Sequence, residues 1–179
     1  MNIHQIQCAY QPLEDRILLR ILSGDRAEFR FWLTRRYVRL LWQVLLKMLE
    51  RDPSNATMPD ENTRRAMMGF QHENMVRTGQ FTQPFEEGPV AMPLGDVPVL
   101  LSRISGKPAG TNGNNQQSLS MHPEKGQGID LGVDSRLLHL ISKLLVDAVK
   151  QSDWDLKLAI DPDFVARQEH QGVPPHKLN

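Results

Sequence analysis

The sequence predicts an α+β fold with two tandem strand-strand-strand-helix repeats, whose antiparallel sheets pack on the repeat helices, and with an additional linker helix. Three observations predict it: apolar and polar residues alternate in short segments, capped apolar helices follow two of these segments, and the two segments recur at a fixed separation. The predicted units are a first repeat at 1–51, a linker at 52–96, a second repeat at 97–151 and a C-terminal segment at 152–179.

The repeat is visible when residues 29–49 are aligned with residues 129–149, which requires no gap and gives a constant offset of 100 positions. Strand positions match as Phe29 with Ile129, Phe31 with Leu131 and Leu33 with Val133. The residue before each helix also matches, because Thr34 aligns with Asp134 and both side chains can cap a helix N-terminus. This correspondence predicts that the two halves share one local fold.

The remaining elements follow from turn signals and periodicity. Residues 3–10 and 16–22 read as two strands around a proline-containing turn, and residues 97–105 and 117–122 are their predicted counterparts in the second repeat. In the linker, residues 62–78 predict a helix with a loose apolar face of alanine, methionine and phenylalanine.

The first repeat helix has more apolar surface than one sheet can cover. Its polar positions form a single narrow stripe, which consists of Arg36, Arg39, Gln43, Lys47 and Glu50. The rest of the helix surface is apolar, and this apolar face is wider than a helix that packs on one sheet needs. We therefore expect the surplus to pack against the second repeat helix, against a second subunit, or against both. The candidate interface residues are Trp42, Leu45, Leu46 and Trp32.

The C-terminal segment contains Trp154, Leu156 and Leu158, a pattern typical of a short strand or a docking segment. A helical turn is predicted at 162–169, and the tail at 171–179 is predicted to be disordered.

Composition restricts the function classes. The chain has 21 basic and 21 acidic residues, so a polyanionic partner is not required. Cys8 is the only cysteine, which excludes an internal disulfide, and its alternation with Ile6 and Tyr10 predicts an inert side chain that faces the core. The six histidines have no metal-binding spacing, and His139 is expected to face solvent on the polar stripe of its helix. The sequence thus predicts no cofactor, no metal site and no enzymatic activity.

No apolar run is long enough to cross a membrane, and the N-terminal residues lack a secretory pattern, so we expect a cytoplasmic protein without membrane association. The functional hypothesis is a non-catalytic interaction or assembly protein, which forms a dimer through its apolar helix faces or binds another protein.

The alternative hypothesis is single-stranded nucleic-acid binding through one face of the first sheet. The residues on this face are Arg16, Arg20, Arg30 and Trp32. Arginines beside an aromatic ring can neutralise phosphates and stack bases. However, Asp130 and Gly132 replace Arg30 and Trp32 in the second repeat, and Glu14, Asp15 and Glu28 are available to pair with the arginines. This hypothesis is therefore not favoured.

The segments EDRILLRI, FRFWLTRR and LLWQVLLKML resemble an uncharacterised family of bacterial proteins. The resemblance covers about the first 50 residues. It implies a bacterial, cytoplasmic origin and no particular activity.

Overall fold

A computed structural model describes residues 2–52, 55, 57–58, 60–78, 84–88, 90–108 and 116–160. Within these residues the fold is α+β, with one four-stranded sheet, one three-stranded sheet and three helices. The predicted helical turn at 162–169 and the tail at 171–179 lie outside the described residues.

The first sheet has the strand order β1-β2-β3-β4. Its strands are β1 (Ile3–Gln11), β2 (Arg16–Ser23), β3 (Glu28–Leu33) and β4 (Val99–Leu100). The first three strands are antiparallel, whereas β4 pairs with β3 in parallel. Helix α1 (Arg35–Glu50) follows β3 directly. Helix α2 (Glu61–Thr78) occupies the predicted linker helix, and only Met68 and Gly69 of this helix are buried.

The second sheet has the antiparallel strand order β5-β6-β7 and is followed by helix α3. Its elements are β5 (Arg103–Lys107), β6 (Gln117–His122), β7 (Ile129–Val133) and α3 (Ser135–Lys150). The strand predicted over 97–105 is divided, because the backbone N–H of Leu101 donates to Trp32 in the first sheet and that of Ser102 donates to His122 in the second. The chain passes from one sheet to the other between these two residues.

Both predicted helix caps are confirmed. Thr34 Oγ1 accepts a hydrogen bond from the Tyr37 N–H at 3.2 Å, and Asp134 Oδ1 accepts one from the Leu137 N–H at 2.8 Å. Each cap satisfies a backbone donor that the first turn of a helix leaves free. The bounds of α1 and α3 coincide under the offset of 100 positions.

The core is one continuous cluster shared by both sheets and by α1 and α3. The two helices pack against each other, α1 also packs on β5, and α3 also packs on β1. Each helix thus contacts the sheet of the other half. Gly106 allows α1 to lie close to β5, because a Cβ atom there would be 2.6 Å from Met48 Sδ.

This packing covers most of the apolar surplus of α1 inside the chain. Trp42 is 7% exposed and Leu45 is fully buried, whereas Leu46 and Trp32 are half-buried. Of the four candidate interface residues, only Leu46 and Trp32 therefore retain surface for a partner. Among the described residues no helix is both long and apolar enough to cross a membrane.

Candidate interaction clefts

The face of the first sheet that carries the arginines is neutralised by carboxylates. Glu28, whose side chain is 2% exposed, lies between Arg20 and Arg30 and accepts a hydrogen bond of 2.7 Å from the Nε of each. Burial raises the pKa of Glu28. The hydrogen bonds and positive charges of Arg30 and Arg20 together lower it by more, so the pKa lies below its ordinary value. The predicted pairing of these arginines with Glu28 is confirmed.

The segment 84–88 completes this arrangement. Glu87 accepts a hydrogen bond from Arg20 at 2.9 Å, and the guanidinium carbon of Arg20 lies 4.0 Å from the centre of the Phe85 ring. The Nη1 atom of Arg16 lies 3.9 Å from the Oε2 atom of Glu14. Sequence reasoning missed Glu87 and Phe85, because no local pattern indicates that the linker folds over this sheet. The face consequently presents little uncompensated positive charge to a phosphate.

A large cleft runs along the outer edge of β1, and we call it the β1 cleft. It has a volume of about 790 Å³ and is lined by every residue from 2 to 8. Because successive side chains of a strand point to opposite faces, a cleft that touches seven consecutive residues must follow the strand edge. In the described part of the chain, β1 pairs only with β2, so the edge that faces the cleft has no partner strand.

The opposite wall of the β1 cleft is one face of α3. Leu137, Leu140 and Leu144 line it, all three half-buried, and they share this wall with the charged residues Asp134, Arg136 and Asp147. The leucine spacing of three and four residues places them on one helix face. Met75 and Val76 of α2 and Phe85 lie at the cleft margin. The cleft therefore combines a strand edge that has no partner strand among the described residues with a helix surface that carries both leucines and charged side chains.

A second groove occupies the corresponding position in the other half, and we call it the β5 groove. It has a volume of about 380 Å³ and is lined by Leu40, Gln43, Val44, Lys47, Ser102, Arg103 and Ile104. Under the offset of 100 positions, its residues Leu40, Val44 and Lys47 correspond to Leu140, Leu144 and Asp147 of the β1 cleft. Each opening is thus formed by a sheet edge of one half and the helix of the other.

The β1 cleft contains no activated nucleophile among the residues that line it. Cys8 is half-buried, and its apolar surroundings raise the pKa of its thiol to about 12. A thiol with this pKa remains protonated near neutral pH and is unreactive. In the described part of the chain, no group of three or more histidine, cysteine, aspartate or glutamate side chains is arranged to hold a metal ion.

The expectation that His139 faces solvent is wrong. Helix α2 packs against this side of α3, so His139 is 1% exposed and its Nδ1 lies 3.3 Å from Nδ1 of His72. Burial lowers the pKa of His139 to about 4, with a smaller contribution from His72 and an opposing one from Asp52. Burial also lowers the pKa of His72, together with the charge of Lys143 and against that of Asp147.

Acidification is expected to destabilise the protein through this pair. The unfolded chain binds a proton at His139 near pH 6.5, whereas the folded chain does so only near pH 4, so stability falls as the pH decreases between these values. A shift of this size corresponds to at most about 3 kcal/mol. Urea unfolding at a series of pH values between about 7.5 and 4, in steps of about half a pH unit, measures the decrease in the free energy of unfolding.

The variant His139→Gln is expected to show a smaller decrease over the same pH range than the wild type, because glutamine does not titrate. His4→Gln is the matched control, since the side chain of His4 is about half exposed and pairs with Glu86 at the surface. An unchanged pH dependence in His139→Gln would contradict the assignment.

Comparison of the chain with protein-family models, with curated proteins and with solved structures found no match.

Proposed function

We propose that the chain is a non-catalytic assembly protein, which forms a dimer when β1 of a second copy adds to β1 in the β1 cleft. The observation that carries this proposal is the edge of the nine-residue strand β1, which has no partner strand in the described part of the chain and lies beside three half-buried leucines of α3. Strand addition supplies backbone hydrogen bonds, and side-chain pockets supply specificity.

A second copy is a suitable occupant for two reasons. Antiparallel pairing of identical strands produces a closed two-fold interface, in which each copy contributes the same surface. The chain also has a formal net charge of zero, so copies do not repel each other over long distances. In such a dimer, the apolar side chains of the added strand cover Leu137, Leu140 and Leu144. An interface with another protein's strand at the same edge is the alternative outcome.

The helix face at this interface belongs to α3 rather than to α1. Packing inside the chain has already covered Trp42 and Leu45, whereas the leucines of α3 remain half-buried beside the open edge. The proposed self-association through an apolar helix face thus shifts to the second half of the chain.

The arrangement into two tandem repeats is part of the same proposal. Its support is the gapless alignment, the two matched caps and the identical lengths of α1 and α3. Duplication of one unit accounts for two openings of the same construction. A bacterial, cytoplasmic location is supported by the resemblance of the first 50 residues and by a single cysteine, which is usual in a reducing compartment.

Single-stranded nucleic-acid binding through Arg16, Arg20, Arg30 and Trp32 has weaker support. Glu28 and Glu87 compensate the charges of Arg20 and Arg30, and Trp32 is only partly exposed.

Light scattering coupled to gel filtration tests the dimer. We expect the wild type to pass from monomer to dimer with increasing concentration. Leu140→Glu is expected to weaken the dimer at least about tenfold, because it places a charge among the leucines that the added strand covers. Leu40→Glu is the matched control, because Leu40 occupies the same position in α1 but lines the β5 groove.

A monomer at every concentration would contradict the proposal. So would a dimer that Leu40→Glu weakens and Leu140→Glu does not, since the interface would then lie on α1. Unfolding curves of both variants establish that any change in mass does not arise from loss of the fold.

A further inference from the structure

The β5 groove differs from the β1 cleft in its charge. Its two charged lining residues, Lys47 and Arg103, are both basic, and no acidic residue lines it. Arg36 and Arg39 are exposed on the same stripe of α1 as Lys47. The charged side chains that line the groove are thus all basic, although Glu50 lies farther along the same stripe of α1.

The floor of the groove is aliphatic. Leu40 is 38% exposed, and Val44 and Ile104 are half-buried beside it. Strand β5 pairs only with β6 in the described part of the chain, so its other edge has no strand partner there, although the carbonyl of Arg103 accepts a hydrogen bond of 3.3 Å from the Tyr37 hydroxyl. The basic stripe from Arg36 to Lys47 extends over about 16 Å of helix at 1.5 Å per residue. This length matches about five residues of an extended chain at 3.3 Å each.

We propose that the β5 groove binds an extended segment of another protein in which apolar and acidic residues alternate. When such a segment adds to β5, its side chains point alternately to the two faces. The apolar side chains contact Leu40, Val44 and Ile104 on the side of α1. The acidic side chains point to the outer face of the sheet, where Arg103 and Lys107 are exposed.

A nucleic acid fits this groove less well than a peptide. Bases bind to protein surfaces by stacking on aromatic rings. The residues that line the groove are aliphatic, polar or basic, and none of them is aromatic. The charge of the groove suits an anionic partner, and its floor suits aliphatic side chains, which only the peptide provides. This inference is independent of the proposed dimer, which uses the opposite opening.

The test is fluorescence anisotropy with a labelled heptapeptide of alternating valine and glutamate. We expect saturable binding that weakens with added salt, because attraction between partly exposed charges is screened. A peptide of alternating valine and lysine is expected not to bind. Lys107→Glu is expected to weaken binding about tenfold, since Lys107 is exposed on the outer face of β5 where the acidic side chains lie, and the change replaces an attractive charge with a repulsive one.

Lys150→Glu is the matched control, because it makes the same charge change at an exposed position at the end of α3. We expect it to leave binding unchanged, and Leu140→Glu to do the same while it disrupts the dimer. Absence of saturable binding, or equal losses in Lys107→Glu and Lys150→Glu, would overturn the proposal. An oligothymidine that binds more tightly than the peptide and depends on Lys107 would also overturn it, in favour of a nucleic acid.

Discussion

Glu28→Gln is expected to lower the free energy of unfolding by about 3 kcal/mol, because it removes the buried charge that neutralises two arginines. The substitution preserves the shape of the side chain but leaves Arg20 and Arg30 without their shared carboxylate. The value lies at the lower end of the range for broken buried pairs, because Arg20 keeps Glu87 and Arg30 keeps some contact with water. Urea unfolding at neutral pH measures the loss.

Glu87→Gln is the matched control for this prediction. It makes the same substitution and removes the charge of another carboxylate that pairs with Arg20, but the side chain of Glu87 is 75% exposed. Exposed ion pairs contribute at most about 1 kcal/mol, so we expect a small effect. Equal losses in the two variants would show that burial does not determine the role of Glu28.

The part of the fold that sequence alone predicts is the part that local patterns determine. Thr34 and Asp134 stand immediately before apolar helical periods, so both helices and their caps follow from neighbouring residues. The alternation in 28–33 and 129–133 likewise predicts strands that need no information about distant residues. These elements occur where the sequence places them.

The features that sequence did not predict depend on contacts between distant segments. His139 lies on a helix face that reads as polar, and only the packing of α2 buries it against His72. Strand β4 separates from β5 because Leu101 and Ser102 bond to different sheets. The two openings could not be placed from the sequence either, since each requires a sheet edge from one half beside the helix of the other.

Trp154→Ala is expected to lower the free energy of unfolding by about 3–5 kcal/mol, as is usual when a large buried aromatic side chain is removed. Trp154 is 3% exposed and packs edge-to-face on Tyr10 with 5.7 Å between the ring centres. Its Nε1–H donates a hydrogen bond to Asp15 at 2.5 Å, and the hydroxyl of Tyr10 donates to the same carboxylate at 2.8 Å. Residues 152–160 are thus a docking segment rather than a strand, and Trp154 holds them on the turn between β1 and β2.

Two further variants separate packing from hydrogen bonding at this site. Trp154→Phe retains most of the aromatic packing but loses the hydrogen-bond donor to Asp15. The free energy of unfolding is expected to fall by about 1 kcal/mol for the lost hydrogen bond, and by a further small amount because phenylalanine makes fewer contacts. Leu13→Ala, at a fully exposed position of the same turn, is expected to change stability by less than about 0.5 kcal/mol. Urea unfolding measures all three variants. A residue that closes the core cannot be removed without leaving a cavity or exposing its neighbours to water. If Trp154→Ala therefore lost as little stability as Leu13→Ala, the docking of Trp154 would not stabilise the first sheet.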